Sequence, residues 1–192
     1  RMTEDIDFGV AVRGWEDFDA LRADLLASRG FRAEARAPQR LIHPGGLPVD
    51  LVPFAGVEDA SRRITWPPRG DVVMDTFGFA EALRAAVEVH LPGGVRTRAV
   101  SLPSLAMLKV VAWAERHLRA PRKDAHDLMQ IVANTMGCGG HDRLFTEFEA
   151  WTADADFDYE TSGARMLGRD ISQILDDGGR HRLAAILRGQ TD

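Results

Sequence analysis

Apolar and polar positions alternate over residues 5–12, with Ile6, Phe8, Val10 and Val12 on one side and Asp5 and Asp7 on the other. A period of two predicts a strand. The period then lengthens. Phe18, Leu21, Leu25 and Leu26 recur at helical spacing within Trp15–Ser28, and Gly30 supplies a stop. Residues 40–43 and 47–54 flank Pro44-Gly45-Gly46 and predict an antiparallel hairpin. Pro48 and Pro53 bracket its second run, so the paired part is expected to be short. Residues 55–75 show little periodicity, contain Trp66-Pro67-Pro68, and read as an ordered surface loop. A short helix over 79–86 precedes a second hairpin, Val87–Leu91 with residues 95–100, about Pro92-Gly93-Gly94.

Beyond Ser101 the pattern is helical to the end. Ser101 or Ser104 can cap a helix reaching about His117, and Pro103 is tolerated in its first turn. Lys123–Asn134 follows, and Met136-Gly137-Cys138-Gly139-Gly140 breaks it. Asp142 opens a helix bearing Leu144, Phe145, Phe148 and Trp151, and further helices carry Leu167, Ile171, Ile174 and Leu175, then Leu183, Ile186 and Leu187. The expected class is α+β: a mixed or antiparallel sheet with flanking helices over 1–100, then a helical subdomain over 101–192.

Composition narrows this picture rather than changing it. A chain of 192 residues, 45% hydrophobic and 28% charged, can bury one good core or two small ones. No apolar run approaches the roughly 20 residues of a membrane span. Nothing at the N-terminus reads as a secretory signal, and the single cysteine, Cys138, excludes an internal disulfide framework. A cytoplasmic protein is therefore expected. The net charge of −5 argues against a broad nucleic-acid platform, but not against a nucleotide or a locally held RNA end. The six histidines show no zinc-like spacing, and no Gly-x-Ser-x-Gly elbow, Walker A loop or dinucleotide fingerprint occurs.

The chemistry lies in carboxylates. Asp5 and Asp7, two apart on a strand, point to one face, where they are either solvated charges on a wet sheet or ligands of a divalent cation. Asp50 tips that balance, because it interrupts the apolar run Leu47-Pro48-Val49-Asp50-Leu51-Val52-Pro53-Phe54, and an unpaired charge there is costly. If the two strands are neighbours, the three acids surround one or two metal ions, as phosphoryl transfer requires. In the helical half, Lys109 interrupts an apolar helix and Arg116 lies on its same face, so two cations can face a triphosphate. Lys109 could instead snorkel from the core rim. Lys123, Asp124 and Asp127 fit either a pocket wall or a local salt bridge, Lys123 to Asp127. Arg32, Arg36 and Arg40 could steer an RNA backbone, although solvated loop charges explain them as well.

Arg1-Met2-Thr3-Glu4-Asp5-Ile6-Asp7-Phe8 resembles the Arg-x-Thr-x-Asp-x-Asp segment of the DNA polymerase β-like nucleotidyltransferase superfamily, and most closely its AbiEii-type group, which includes toxins of toxin–antitoxin systems. The run from Gly46 to Phe54 looks like that group's third-carboxylate strand. Leu105-Ala106-Met107-Leu108-Lys109 and Arg122-Lys123-Asp124-Ala125-His126-Asp127-Leu128 resemble its helical motifs, and residues 163–170 match more weakly. The resemblance implies Asp5 and Asp7 as metal ligands and Asp50 as third ligand or base. It places Lys109 at the nucleotide phosphates and Lys123, Asp124 and Asp127 lining or bracing the pocket; Thr3, in the matching motif, and Arg116, on the Lys109 face by spacing, join the candidate nucleotide-binding residues.

The implied activity is transfer of a nucleoside monophosphate from an NTP, with Mg2+ or Mn2+, to a hydroxyl on RNA (a tRNA 3′ end among them), a protein or a small molecule. An antitoxin is the implied protein partner. The superfamily's Gly-Gly or Gly-Ser phosphate-binding turn precedes Thr-x-Asp-x-Asp by ten or more residues, outside a sequence that opens at Arg1. The expectation is a longer protein that supplies it. The alternatives are a degenerate member acting as a protein-binding module, and a phosphohydrolase with water as acceptor.

Overall fold

The computed structural model describes residues 5–35, 37–118 and 122–189. The chain divides into two compact units, 1–80 and 81–192.

The first unit is built on four strands, β1 (Ile6–Val12), β2 (Arg32–Ala33), β3 (Arg40–Ile42) and β4 (Pro48–Ala55), in the order β1-β4-β3-β2. β1 runs parallel to β4, while β4, β3 and β2 are mutually antiparallel neighbours, so the sheet is mixed. Helix α1 (Trp15–Ser28) joins β1 to β2, and Gly30, at φ +69°, ends it in the left-handed conformation that a Cβ disfavours. Phe18 of α1 is buried in one cluster with Val12, Leu41, Val49 and Leu51. Val12, Val49 and Leu51 thus lie on the face toward this cluster and Asp7 and Asp50 on the opposite one, while Ile6 and Phe8 at the start of β1 stay exposed and β4 is buried on both faces.

Two expectations need correction here. Residues 55–75 contain a hairpin, β5 (Arg63–Thr65) with β6 (Val73–Asp75), rather than plain loop. Each strand is three residues long, too short for a visible alternation, yet Ile64 and Trp66 are buried and Trp66 packs its ring 5.7 Å from Phe18. The paired part of β4 is also not short: it pairs with β1 from Val49 to Ala55, Pro53 included. β3 pairs with β4 only as far as Asp50, and Leu51 donates to Gln39 on that side. Pro53 faces the same side two residues on, where no neighbouring strand requires its missing N–H.

The second unit begins within α2 (Phe79–Arg84) and includes β7 (Val87–Leu91), β8 (Val95–Ala99), α3 (Leu102–Arg116), α4 (Lys123–Asn134), α5 (His141–Glu147), α6 (Tyr159–Ile174) and α7 (Asp177–Leu187). The β7–β8 hairpin forms a sheet of its own, separate from β1–β4. α3 packs against α4, α6 and α7 and buries Ala106, Met107, Val110 and Val111. The predicted break after α4 is a turn over Met136–Gly140 with Gly139 at φ +93°.

Asp158 and Asp176 cap α6 and α7, each accepting a 2.7 Å hydrogen bond, from the N–H of Thr161 and of Gly179. Asp176→Ala leaves that first-turn N–H without its partner. It is expected to lower the stability of the helical unit by about 1 kcal/mol, read as a shift of the urea midpoint at constant slope.

Candidate metal centre and nucleotide-binding residues

Strand register assembles the carboxylates. Asp7 on β1 stands opposite Asp50 on β4, and Arg40 on β3 stands opposite Asp50 from the other side. Paired positions share a face, so Asp7, Asp50 and Arg40 form a row across three strands, with Asp5 two residues before Asp7 on the same side. Adjacent strands lie about 4.8 Å apart. One carboxylate oxygen from each of Asp5, Asp7 and Asp50 accordingly lies within 4.8 Å of the other two. Among the described residues, no other group of three or more His, Cys, Asp or Glu side chains converges in this way.

Asp50 is buried, whereas Asp5 is partly and Asp7 more fully exposed. The partner that a carboxylate on an apolar strand requires is Arg40. Its Nε donates to Asp50 Oδ1 at 2.7 Å and its Nη2 to Asp50 Oδ2 at 2.8 Å, a two-pronged pair; Nη2 also donates to Asp5 Oδ2 at 3.0 Å. The hydrogen bond to Asp50 raises the Arg40 pKa above its ordinary value; burial opposes this, and the charges of Asp50, Asp5 and Asp7 add to it. The guanidinium is therefore a permanent cation.

The donor set suits a hard divalent ion. Three carboxylate oxygens converging from one side, with open solvent beyond Asp7, match magnesium or manganese, which take oxygen ligands and retain water. Nothing in the set offers the sulfur or imidazole donors that zinc favours.

The helical unit brings a second set together. On α3, Lys109 and Arg116 do share a face, and both reach acids of α4. Lys109 Nζ lies 2.8 Å from Asp127 Oδ2 and 3.8 Å from Asp124 Oδ1, while Arg116 grips Asp124 at 2.8 and 3.2 Å. Asp124 is 1% exposed, so it is a buried brace between two cations. Asp127 is thus held across the helix pair by Lys109, beyond the local Lys123 contact that spacing suggests. Lys123 opens α4 on its exposed side. Thr3 and Arg36 lie outside the described residues.

The residue that sequence reasoning underrated is Arg40. Its signal was present in the turn: a loop over 44–46 sets His43 opposite Leu47, as the His43 N–H to Leu47 carbonyl bond of 2.9 Å shows, and three residues further out Arg40 falls opposite Asp50.

A mixed sheet with flanking helices, carrying three acids on adjacent strands, has the form of a nucleotidyltransferase fold. The family of nucleotidyl transferase AbiEii toxins of type IV toxin–antitoxin systems matches residues 1–192, and the chain belongs to that family. A comparison with curated proteins finds no match. Among the described residues no helix is long and apolar enough to cross a membrane.

Proposed function

We propose that the protein is a metal-dependent nucleotidyltransferase, in which Asp5, Asp7 and Asp50 bind Mg2+ or Mn2+ and an NTP supplies the transferred group. The observation that carries this reading is the register pairing of Asp7 with Asp50, which aims both carboxylates, and Asp5 with them, at one point. A solvated charge pair needs no third acid on a buried strand.

When bound, the ion would screen the triphosphate and favour the attacking oxygen. The acceptor hydroxyl oxygen forms a bond to the α-phosphorus, the bond from that phosphorus to the bridging oxygen breaks, and pyrophosphate leaves with the electron pair. The hydroxyl proton passes to a carboxylate of the triad or to water. Asp5 and Asp7 are ligands in this scheme, and Asp50 is the third ligand or the base. Lys109 and Arg116 are phosphate contacts, oriented by Asp127 and Asp124; Arg116 keeps donors beyond the two committed to Asp124. Lys123 and Thr3 complete the nucleotide-binding set. The acceptor is an RNA, tRNA included, a protein or a small molecule, and the family context supports an antitoxin as partner.

The test is incubation of the full-length protein with each α-labelled NTP, Mg2+ and a lysate or total RNA. A macromolecule or metabolite labelled from one NTP, with pyrophosphate released and chelator abolishing both, is the expected result. Release of inorganic phosphate with no labelled acceptor would instead make it a hydrolase. No turnover of any NTP would leave a binding module.

A further inference from the structure

The β7–β8 hairpin has two unlike faces and two open edges. Register places Val87 opposite Ala99, Val89 opposite Thr97 and Leu91 opposite Val95 on one face. Glu88 opposite Arg98 and His90 opposite Arg96 make up the other. The apolar face is uncovered over much of its area: Val87, Leu91 and Val95 are 50%, 45% and 55% exposed. The polar face is open as well, with Glu88, His90, Arg96 and Arg98 all exposed. Among the described residues no third strand pairs with either edge. Two strands alone make a marginal sheet, and a row of unpaired backbone N–H and C=O groups beside an apolar face accepts a further strand.

The residues of β7 select that strand. When two copies of β7 run antiparallel with Val89 at the centre, Val87 of each meets Leu91 of the other, and Glu88 of each meets His90 of the other. Carboxylate then faces imidazole twice, the same two groups that lie 2.9 Å apart along each single strand. Shifting the pairing by two residues sets Glu88 against Glu88 or His90 against His90. Shifting it by one turns the apolar face of one copy toward the polar side of the other. The β8 edge offers no such match, because centring it on Thr97 sets Arg96 against Arg98 twice. We propose that the protein self-associates through β7, forming a four-stranded sheet ordered β8-β7-β7-β8 about a twofold axis at Val89. Such a pairing closes at two copies. With five residues a side the interface is small, so a dissociation constant of roughly 1–100 µM is expected.

The experiment is sedimentation equilibrium of the full chain, with circular dichroism to confirm that each variant folds. The wild type is expected to dimerise. Glu88→Lys, which sets an ammonium against His90 of the other copy, is expected to weaken the dimer roughly tenfold or more. Glu88→Lys combined with His90→Glu restores an unlike pair at both places, and is expected to recover most of that loss. Cysteine cross-linking reads the register without changing any charge. In a Cys138→Ser background, Val89→Cys is expected to give a disulfide-linked dimer on mild oxidation. Thr97→Cys, about 14 Å from its counterpart across three strand spacings, is expected to give none. A wild type that stays monomeric at about 500 µM overturns the proposal. So does a dimer cross-linked through Thr97→Cys and not Val89→Cys, or a folded double variant no tighter than Glu88→Lys alone.

Discussion

Asp7→Asn is expected to reduce nucleotidyl transfer by roughly a thousandfold or more while leaving the fold at least as stable as the wild type. The two effects separate because of where Asp7 sits. It is exposed, on an edge strand of the sheet, and its carboxylate converges with those of Asp5 and Asp50, both of which are paired with Arg40. Asparagine keeps the shape and removes a charge, so no cavity forms and mutual repulsion falls. A residue retained for stability would behave in the opposite way. Thermal unfolding and initial transfer rates at saturating NTP, measured on the same preparation, decide the matter. Activity within a few-fold of wild type would take Asp7 out of the metal site, and a collapse of the unfolding temperature would make it structural.

Much of that carboxylate cluster was legible from spacing. The two-residue step from Asp5 to Asp7 on a period-two strand fixed a shared face, and Asp50 stood out because every neighbour on its strand is apolar. What spacing does not contain is which strands lie side by side. That β1 pairs with β4, across an intervening helix and hairpin, is a long-range choice made by burial of Phe18, Leu41, Val49 and Leu51 beneath α1. Arg40 was hidden for a different reason: as one of several arginines near a turn it looks solvated, and only the register of the hairpin turns it inward. The β5–β6 hairpin was invisible because its signal is two buried side chains, Ile64 and Trp66, rather than a pattern. The helices follow local periodicity more closely, with α1 and α4 spanning the residues expected, although α5 stops at Glu147 and leaves Phe148 outside it and Trp151 in a separate 3-10 turn. For the acids of α4 spacing leaves a pocket wall and a local Lys123–Asp127 salt bridge open, because helical spacing reports neighbours on one helix, whereas Asp124 is buried against α3 by contacts across two.

Gly56→Ala is expected to destabilise the sheet unit by about 3 kcal/mol or more, although it adds a single methyl group. The chain leaves β4 by folding back against the exit of β1, and the Gly56 N–H donates to the Val12 carbonyl at 2.8 Å. A Cβ at this position would lie 2.1 Å from the Arg13 carbonyl oxygen and 2.4 Å from its carbon. Both are backbone atoms, so no side chain can rotate away, and relief requires the ends of β1 and β4 to part. Those are the two strands whose pairing sets Asp7 opposite Asp50. The preceding residue provides the control. Ala55 holds φ +72°, a left-handed conformation that costs an alanine about 1 kcal/mol, so Ala55→Gly relieves strain while adding a similar unfolded-state entropy, and should be near neutral. Urea denaturation of the pair distinguishes a steric limit at one atom from a general sensitivity of the turn. A Gly56→Ala midpoint equal to wild type would mean that β1 and β4 do not close as described, and the alignment of the carboxylates would lose its frame.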